Sequence, residues 1–427
     1  MIQKAVILST GDEITTGKVI DTNANYLSDK LAEIGVDLVA VLTVGDVPDR
    51  LEWAWRTAID LSDVVISTGG IGPTADDLTT ETIARLAGVK LWRDEATVDH
   101  MKRMFATIAR PMPENNLKQA MFPEGAEVIL NPLGTAPGFR MPMTLNGHTS
   151  NLIVLPGVPR EMKPMMENSV IPWINSHRGT NKVYAVRIFQ TFGMSESALD
   201  EAVMGLIKPE EAKVSFRASF PQISLRIRVE GQPGEVERRA DELAKRVLDK
   251  ISQFVYAQGE TTMEDVVGEL FVKKNLTLAI AESCTGGLIG HRITNVPGCS
   301  RYFKSDLVTY SNEAKANVLG VSEATLKTHG AVSEECVAEM AAGARKRVGA
   351  SVAVATSGVA GPDGGTPDKP VGTVCIALSS DDQSVTRRYQ LRGTRDWVKL
   401  LASQVALDWL RRYALGLPIG DSALFLR

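Results

Sequence analysis

The feature that most constrains the fold is the alternation of short apolar segments with helical patterns, first in residues 5–155 and again from about residue 262. Segments 5–9, 38–44 and 63–67 are mostly apolar along their whole length, as expected of strands buried on both faces. This alternation predicts parallel sheets covered by helices, which is an α/β fold. A chain of 427 residues is too long for one ordinary core, so we expect two or three domains.

The middle of the chain has a different pattern. Between residues 223 and 229 every second residue is apolar, which predicts a strand with one buried and one solvated face. An amphipathic helix pattern with charged exposed positions follows in residues 236–254. We therefore predict a small α+β module between two α/β domains. The predicted domains are residues 1–172, 173–258 and 259–427.

Composition narrows the classes of function. The net charge is −4, so no general electrostatic attraction to nucleic acid is expected. The four cysteines form no Cys-x-x-Cys pair, which favours a cytoplasmic protein with free thiols. The first ten residues are typical of a buried strand rather than a signal peptide. No apolar run approaches the ~20 residues needed to span a bilayer, so no membrane partner is expected.

Two loops that follow apolar segments in the first domain are rich in glycine and acidic residues. They are residues 10–13 (Thr-Gly-Asp-Glu) and 69–77 (Gly-Gly-Ile-Gly-Pro-Thr-Ala-Asp-Asp). Glycines let backbone N–H groups approach a phosphate, and a helix that begins near Leu78 would direct its positive end toward it. The predicted phosphate contacts are Gly69, Gly70 and Gly72.

The acidic residues in these loops suggest a metal. Asp12, Asp76 and Asp77 supply carboxylate oxygens, the hard ligands that hold a divalent metal ion against phosphates. We therefore predict a nucleotide-phosphate site that uses a divalent metal ion. The alternative is that the glycines only make turns and the aspartates only cap helices.

The last third of the chain contains four segments that combine glycines with hydroxyl and basic side chains: residues 281–287, 298–303, 308–315 and 357–365. Glycine turns and hydroxyls at strand ends suit a phosphate and a ribose. A serine nucleophile needs a partner to take its proton, and a lysine can do so if its pKa is lowered. The sequence has no zinc-deaminase pattern and no Gly-x-Ser-x-Gly elbow.

Each candidate side chain also has an ordinary structural explanation. Cys284 is either a thiolate nucleophile or a small buried apolar residue. Ser283 is also explained as a helix cap and Lys315 as a solvated helix residue. Tyr310 would pack in a strand and Ser300 would be a loop serine. The residues alone leave these alternatives open.

The N-terminal motifs resemble the CinA family, competence/damage-inducible protein A. The resemblance is carried by residues 10–13, 67–79 (STGGIGPTADDLT) and 156–162 (PGVPREM). It implies a first domain similar to the molybdopterin-binding MoaB/MogA fold, with metal-dependent ADP-ribose pyrophosphatase activity. The middle segment would be a KH-like module. Its Gly-x-x-Gly at 231–234 carries no basic residue, so RNA binding is not expected.

The C-terminal motifs AESCTGG, VTYSNEAK, HGAVSE, SGVAGPDGG and KPVGTV resemble the nicotinamide mononucleotide deamidase family over residues 265–415. The resemblance implies hydrolysis of the carboxamide to nicotinate mononucleotide and ammonia, without a cofactor. It places the active-site serine, tyrosine and lysine on Ser300, Tyr310 and Lys315. The substrate-binding residues that we predict here are Ser283, Thr285, Gly286, Gly287, Ser357, Gly358, Ala360, Gly361 and Arg395.

These expectations combine into an acyl-transfer mechanism. Ser300 attacks the carboxamide carbon, while Lys315 and Tyr310 manage its proton and that of the leaving ammonia. Arg395 and the glycine-rich loops hold the phosphate. The competing hypothesis is a regulator of competence or DNA-damage responses that senses nucleotides without turning them over. The family also implies a homodimer, with nicotinamide mononucleotide and ADP-ribose as small-molecule partners.

Overall fold

The computed structural model of the chain describes residues 1–107, 109–178 and 183–420. The chain divides into two compact units. The first is Met1–Ala185 with Glu230–Val236, and the second is Val186–Val229 with Glu237–Arg427. Within the described residues, no helix combines the length and the apolar character needed to cross a bilayer.

The part of the first unit that the structure describes contains eight strands and seven α-helices. The strands are β1 (Lys4–Thr10), β2 (Asp37–Val44), β3 (Val64–Thr68), β4 (Leu91–Arg93), β5 (Met121–Pro123), β6 (Glu127–Ile129), β7 (Gly138–Leu145) and β8 (His148–Leu155). The helices are α1 (Asp12–Thr15), α2 (Thr22–Glu33), α3 (Pro48–Leu61), α4 (Thr79–Ala87), α5 (Glu95–Thr107), α6 (Pro159–Met165) and α7 (Ile171–His177).

Six of these strands form one sheet in the order β2-β1-β3-β8-β7-β6, and helices cover both faces. In β1, Val6 and Leu8 pack with Trp55 of α3 on one face. Ala5 and Ile7 alternate with them and pack with Leu27 of α2 on the other face. Since neighbouring residues of a strand point to opposite faces, a segment that is apolar throughout is what this layered arrangement requires.

The apolar segments alone predict a parallel sheet, but this sheet is mixed. Strands β2, β1, β3 and β8 run parallel, whereas β7 pairs antiparallel with β8 and β6 with β7. Asn146 and Gly147 connect β7 to β8 and have φ values of 50° and 80°. An Asn-Gly pair with positive φ at both residues is the tight turn that joins antiparallel strands, and it explains the reversal.

In its described residues the second unit contains nine strands and eight α-helices. The strands are β9 (Val183–Thr191), β10 (Lys213–Ser219), β11 (Gln222–Gly231), β12 (Val255–Gln258), β13 (Leu278–Glu282), β14 (Phe303–Val308), β15 (Val352–Gly358), β16 (Thr373–Ser379) and β17 (Ser384–Gln390). The helices are α8 (Glu196–Val203), α9 (Val236–Ile251), α10 (Met263–Lys273), α11 (Leu288–Thr294), α12 (Asn312–Leu319), α13 (Glu323–Thr328), α14 (Glu334–Val348) and α15 (Arg395–Leu415).

These strands form a four-stranded sheet, β10-β11-β9-β12, and a five-stranded sheet, β14-β13-β15-β16-β17. In the larger sheet β14, β13 and β15 are parallel, and β16 and β17 each pair antiparallel with the strand before them. Strand β17 therefore ends at the same edge as β13, β14 and β15. The prediction of two helix-covered α/β sheets with a small α+β module between them in the sequence is confirmed.

Candidate functional site

The C-terminal candidate site lies at the edge where β13, β14 and β15 end. Ser283 follows β13, Thr309 follows β14, and Ser357 is near the end of β15. Arg395 reaches the same edge because it begins α15 shortly after β17 ends. Ligands bind beyond the carboxyl ends of strands in open α/β sheets, so the topology brings most of the predicted residues to a suitable place.

Lys315 is the most informative residue of this site because it is a buried amine. Only 1% of it is exposed, so it is not a solvated helix residue. Its Nζ donates to Ser283 Oγ at 3.0 Å, to the Thr309 carbonyl at 2.9 Å and to the Tyr310 carbonyl at 3.3 Å. Burial lowers the pKa of Lys315. The structure thus holds a buried amine with a lowered pKa against a serine hydroxyl.

Ser300 is not one of the groups that Lys315 contacts through these hydrogen bonds. It lies in a single 3-10 turn, Cys299–Arg301, and is exposed. Ser283, in contrast, is only 8% exposed and is not a helix cap, because Gly287 occupies the N-cap position of α11. The structure therefore pairs Lys315 with Ser283, whereas the family resemblance assigns the nucleophile to Ser300.

Tyr310 and Arg395 form a second polar pair at the site. The Tyr310 side chain is exposed, and its hydroxyl accepts a hydrogen bond of 3.0 Å from Arg395 Nη2. Arg395 Nη1 donates to the Gly361 carbonyl at 2.7 Å. Arg395 consequently connects the segment after β14 with the glycine-rich segment after β15, and its guanidinium is exposed where a phosphate could reach it.

A buried carboxylate accepts hydrogen bonds from the glycine turn after β13. Glu282 is fully buried and accepts hydrogen bonds of 2.9 Å from both Gly287 N and Gly290 N. Gly286 and Gly287 have φ values of 64° and 92°, which favour glycine over any residue with a Cβ. The sequence patterns did not single out Glu282, although it lies within the AESCTGG motif.

Two predicted hydroxyl groups already have protein partners. Thr285 Oγ1 shares a hydrogen bond of 2.7 Å with Thr356 Oγ1, and Ser357 Oγ donates to the Ala331 carbonyl at 2.7 Å. Both side chains therefore stabilise the ends of β13 and β15. The remaining predicted contacts, Gly358, Ala360 and Gly361, lie at or just after the end of β15, in the segment that Arg395 holds.

Cys284 is buried, and burial raises the pKa of its thiol to about 12. A thiol with that pKa stays protonated at neutral pH and is a poor nucleophile. The helix that follows begins only at Leu288, so the helix end does not lie at the sulfur. These observations favour the explanation of Cys284 as a small buried apolar residue.

Asp306 in β14 lies beside Glu282 and allows a test of the support beneath the glycine turn. Burial, and then the negative charge of Glu282, raise the pKa of Asp306 to about 8. A folded-state pKa above the unfolded value near 3.8 means that the folded chain keeps a proton that the unfolded chain loses. The contribution of the Asp306 proton to the stability of the folded chain is complete below about pH 4 and is lost as the pH rises to about 8.

Asp306→Asn imitates the protonated acid, so we expect it to raise the free energy of unfolding at pH 8 by about 1 kcal/mol, after allowance for solvent screening of a partly exposed group. The gain should disappear near pH 4. Urea unfolding at pH values between these limits measures it, with the exposed Asp99→Asn as the matched control. A gain that does not vary with pH would contradict the assignment of a proton to Asp306.

The N-terminal candidate site is a cavity of about 600 Å³ at the carboxyl ends of β1, β3 and β8. All three predicted phosphate contacts, Gly69, Gly70 and Gly72, line it. Gly69 has φ 97°, and a Cβ there would lie 2.6 Å from the Thr10 carbonyl oxygen, so only glycine fits. Helix α4 begins at Thr79 after this loop, as predicted from the sequence.

Unlike the three glycines, the three predicted metal ligands do not all line the cavity. Asp76 and Asp77 line the cavity, together with Asp46, which the sequence analysis did not identify. Asp12 exchanges hydrogen bonds with Asp46, 3.2 Å from Asp46 N to Asp12 Oδ1 and 3.1 Å from Asp12 N to Asp46 Oδ2. Burial, and then the neighbouring charges of Asp12, Glu13 and Asp76, raise the pKa of Asp46.

These acids fit a metal only if the ligand helps to bind it. Among the described residues, no three His, Cys, Asp or Glu side chains lie close enough together to hold an ion by themselves. Mg²⁺ is commonly held by one or two carboxylates together with substrate phosphates and water, so two carboxylates beside a phosphate loop are chemically sufficient.

Glu161 is a further cavity residue that the sequence analysis did not select. It is 9% exposed, and its Oε2 accepts a hydrogen bond of 2.8 Å from Asn131 Nδ2. The signal was available, because Glu161 belongs to the PGVPREM motif that carries the family resemblance. The residue that holds its side chain, Asn131, lies thirty residues away in the sequence.

Comparison with known proteins matches three successive ranges of the chain. Family models match residues 6–176 ("Probable molybdopterin binding domain"), 186–257 ("Damage-inducible protein CinA KH domain") and 260–414 ("CinA C-terminal domain"). Together with the fold, these matches define a class of α/β proteins in which a domain of the molybdopterin-binding type precedes a KH module and a second α/β domain.

Proteins that are similar over nearly the whole chain identify the family. A CinA-like protein of Desulfosudis oleivorans is 43% identical over 96% of this chain and 100% of its own length. A CinA-like protein of Geotalea uraniireducens is 41% identical over 97% and 98%. The crystal structure of competence/damage inducible protein CihA from Agrobacterium tumefaciens is 35% identical, covers 35% of this chain and 94% of its own, and gives a TM-score of 0.34. The chain belongs to the CinA family.

Proposed function

We propose that the C-terminal site hydrolyses the carboxamide of nicotinamide mononucleotide to nicotinate mononucleotide and ammonia. The observation that carries this proposal is the buried Lys315 amine, 3.0 Å from the Ser283 hydroxyl. A lysine whose pKa is lowered by burial can take the proton of a serine, which makes the serine a nucleophile. The family resemblance supplies the substrate.

In the proposed reaction Ser283 Oγ attacks the carboxamide carbon while its proton moves to Lys315 Nζ. The C–N bond then breaks, and ammonia leaves with the proton that the lysine returns. The acyl group remains on Oγ as an ester. Water attacks this ester, passes a proton through Lys315 to Oγ, and releases nicotinate mononucleotide with the serine restored.

The negative oxygen of the tetrahedral intermediate needs hydrogen-bond donors. The glycine turn after β13 does not supply its own N–H groups, because Gly286 N donates to the Ser283 carbonyl and Gly287 N to Glu282. Tyr310 is a better candidate. Its hydroxyl oxygen accepts from Arg395 and can donate its own proton to the substrate.

The test of this function is ammonia release from nicotinamide mononucleotide by the purified full chain, with the nucleotide product identified by chromatography. Stoichiometric appearance of ammonia and nicotinate mononucleotide is expected without an added metal or cofactor. Binding of the nucleotide without any turnover would instead support the sensing hypothesis and overturn the proposal.

We further propose that the N-terminal cavity hydrolyses the pyrophosphate of ADP-ribose with the help of a divalent metal ion. A volume of about 600 Å³ is within the range of small-molecule sites, and the glycine loop and acids have the chemistry that phosphates and a metal require. Asp76 and Asp77 would hold the ion against the phosphate oxygens. A bound metal neutralises the negative charge that develops on a pyrophosphate during hydrolysis.

Replacing the acidic pair should separate the two activities. Asp76→Asn/Asp77→Asn is expected to lower ADP-ribose hydrolysis at least ~100-fold, because metal ligands matter more than the outer-shell residues whose loss costs 10- to 100-fold. Ammonia release should be unchanged. Both rates are measured over a series of Mg²⁺ and Mn²⁺ concentrations, with Asp99→Asn as the control. Wild-type chain that hydrolyses no ADP-ribose with either metal would reduce the cavity to a binding site.

The family resemblance also leads us to propose a cytoplasmic homodimer. Sedimentation equilibrium of the full chain tests the dimer directly, since a mass of about 46 kDa would identify a monomer.

A further inference from the structure

The hairpin of β10 and β11 ends in an exposed aromatic residue. Ser219 pairs with Gln222 as the last register position, which leaves Phe220 and Pro221 to form the turn. Phe220 is 41% exposed. A large apolar side chain at the tip of a hairpin gains little from burial unless another surface receives it.

The surface that receives Phe220 is the first turn of α15. The Phe220 ring stacks on the Trp397 indole, with ring centroids 4.3 Å apart and an interplanar angle of 20°. Both residues belong to the second compact unit. Trp397 also packs on Gly393, where a Cβ would lie 3.0 Å from the Trp397 Cβ. We call Phe220, Trp397 and Gly393 the aromatic clamp.

The clamp lies next to Arg395, which is two residues before Trp397. The Thr394 side chain makes no capping hydrogen bond at the start of α15. The position of the first helical turn therefore depends on contacts such as the clamp, in addition to the hydrogen bonds from Arg395 to Gly361 and Tyr310. A shift of that turn would move the guanidinium away from both partners.

We propose that Phe220 is a positioning residue for the C-terminal site, through which the middle module holds Arg395 in place to bind the substrate phosphate. The inference rests on the proposed deamidase function and adds a specific role for the KH-type module. The Tyr310 hydroxyl can donate its own proton whether or not it accepts from Arg395. The module then contributes to the affinity for phosphorylated substrates and not to the chemical step.

The test uses the full chain with Phe220→Ala and the ring-preserving Phe220→Tyr. Loss of an aromatic pair worth about 0.5–1.5 kcal/mol corresponds to a rise of about 2- to 10-fold in KM for nicotinamide mononucleotide. The inhibition constant of ribose 5-phosphate, which carries the phosphate without the amide, should rise by the same factor. We expect kcat to change less than 2-fold, and Phe220→Tyr to restore both constants. Ser219→Ala is the control, since it alters the hairpin beside the ring.

Each outcome is decisive. Unchanged constants in Phe220→Ala, or a fall in kcat without a change in KM, would overturn the inference, as would a wild-type chain that ribose 5-phosphate does not inhibit. The thermal midpoint of each variant separates a local effect from unfolding. If wild type releases no ammonia from nicotinamide mononucleotide, the proposed function fails first and the inference fails with it, so the two failures are distinguishable.

Discussion

Lys315→Met is expected to lower kcat for ammonia release at least ~1000-fold, while nicotinamide mononucleotide still binds. General-base catalysis commonly contributes 10²- to 10⁴-fold, and here the same amine also returns the proton to ammonia. Methionine fills a similar volume without a charge, and it leaves the Thr309 and Tyr310 carbonyls without their donor. Lys327→Met, an exposed lysine in α13, is the matched control.

The pH dependence gives an independent test of Lys315. Burial lowers its pKa from the ordinary value of 10.5, so the neutral amine becomes populated at a lower pH than in an exposed lysine. We expect kcat to rise with pH through that lowered pKa and then to level off. Stability should rise in the same direction, because in this window the unfolded chain binds a proton that the folded chain has lost.

The measurement is kcat and the free energy of unfolding from about pH 5 to about pH 11, the range that spans a lowered and a normal lysine pKa. An active Lys315→Met variant with the wild-type profile would remove Lys315 from the mechanism and leave Tyr310 as the base. A profile that falls as the pH rises would have the same consequence.

Ser283→Ala is expected to lower kcat at least ~1000-fold, whereas Ser300→Ala should retain measurable turnover. The reason is the hydrogen bond from Lys315 to Ser283, because the proposed mechanism uses this contact to activate the Ser283 hydroxyl. Both variants lose a single oxygen, but Ser283 is buried and bonded to Lys315 whereas Ser300 is exposed. The thermal midpoint of each variant therefore separates a loss of turnover from a loss of folding. The reverse order of effects would return the nucleophile to Ser300, where the family resemblance places it.

Trapping the acyl-enzyme can locate the nucleophile without relying on rates. Trypsin cleaves after Lys274, Arg292 and Arg301, so Ser283 and Ser300 fall in different peptides, 275–292 and 293–301. After an acid quench during turnover, we expect the mass of the acyl group on peptide 275–292. Fragment ions separate a serine ester from a thioester in each peptide, since Cys284 and Cys299 accompany the two serines. Acylation of peptide 293–301 alone would exclude Ser283.

Periodic patterns predicted the secondary structure of this chain well because they record which faces are buried. The helix pattern at 236–254 corresponds to α9, and the alternating segment at 223–229 lies within β11. Strand β7 was not predicted from alternation, although the Asn146-Gly147 turn that fixes its direction is written in the sequence. Local turn chemistry was therefore a better guide there than the period of apolar residues.

Contacts in the candidate sites were harder to predict, because they depend on which strands are neighbours. Asp46 reaches Asp12 only because β2 pairs with β1, and neither loop reveals this pairing by its own composition. The hydrogen bond of Lys315 to Ser283 likewise requires α12 to return over the end of β13. The motifs identified segments that the sheets bring together, and the sheet order decided which side chains meet.

The hydrogen bonds of the C-terminal site join distant parts of the chain. Lys315 and Ser283 are 32 positions apart, and Arg395 and Tyr310 are 85 apart. Contacts of this kind require long loops to close, and they tend to form late in folding. The candidate C-terminal site is consequently incomplete in a partly folded intermediate that lacks the complete sheet. A ligand that binds only the finished fold stabilises it by mass action, so under the proposed function the nucleotide would also slow the loss of folded chains.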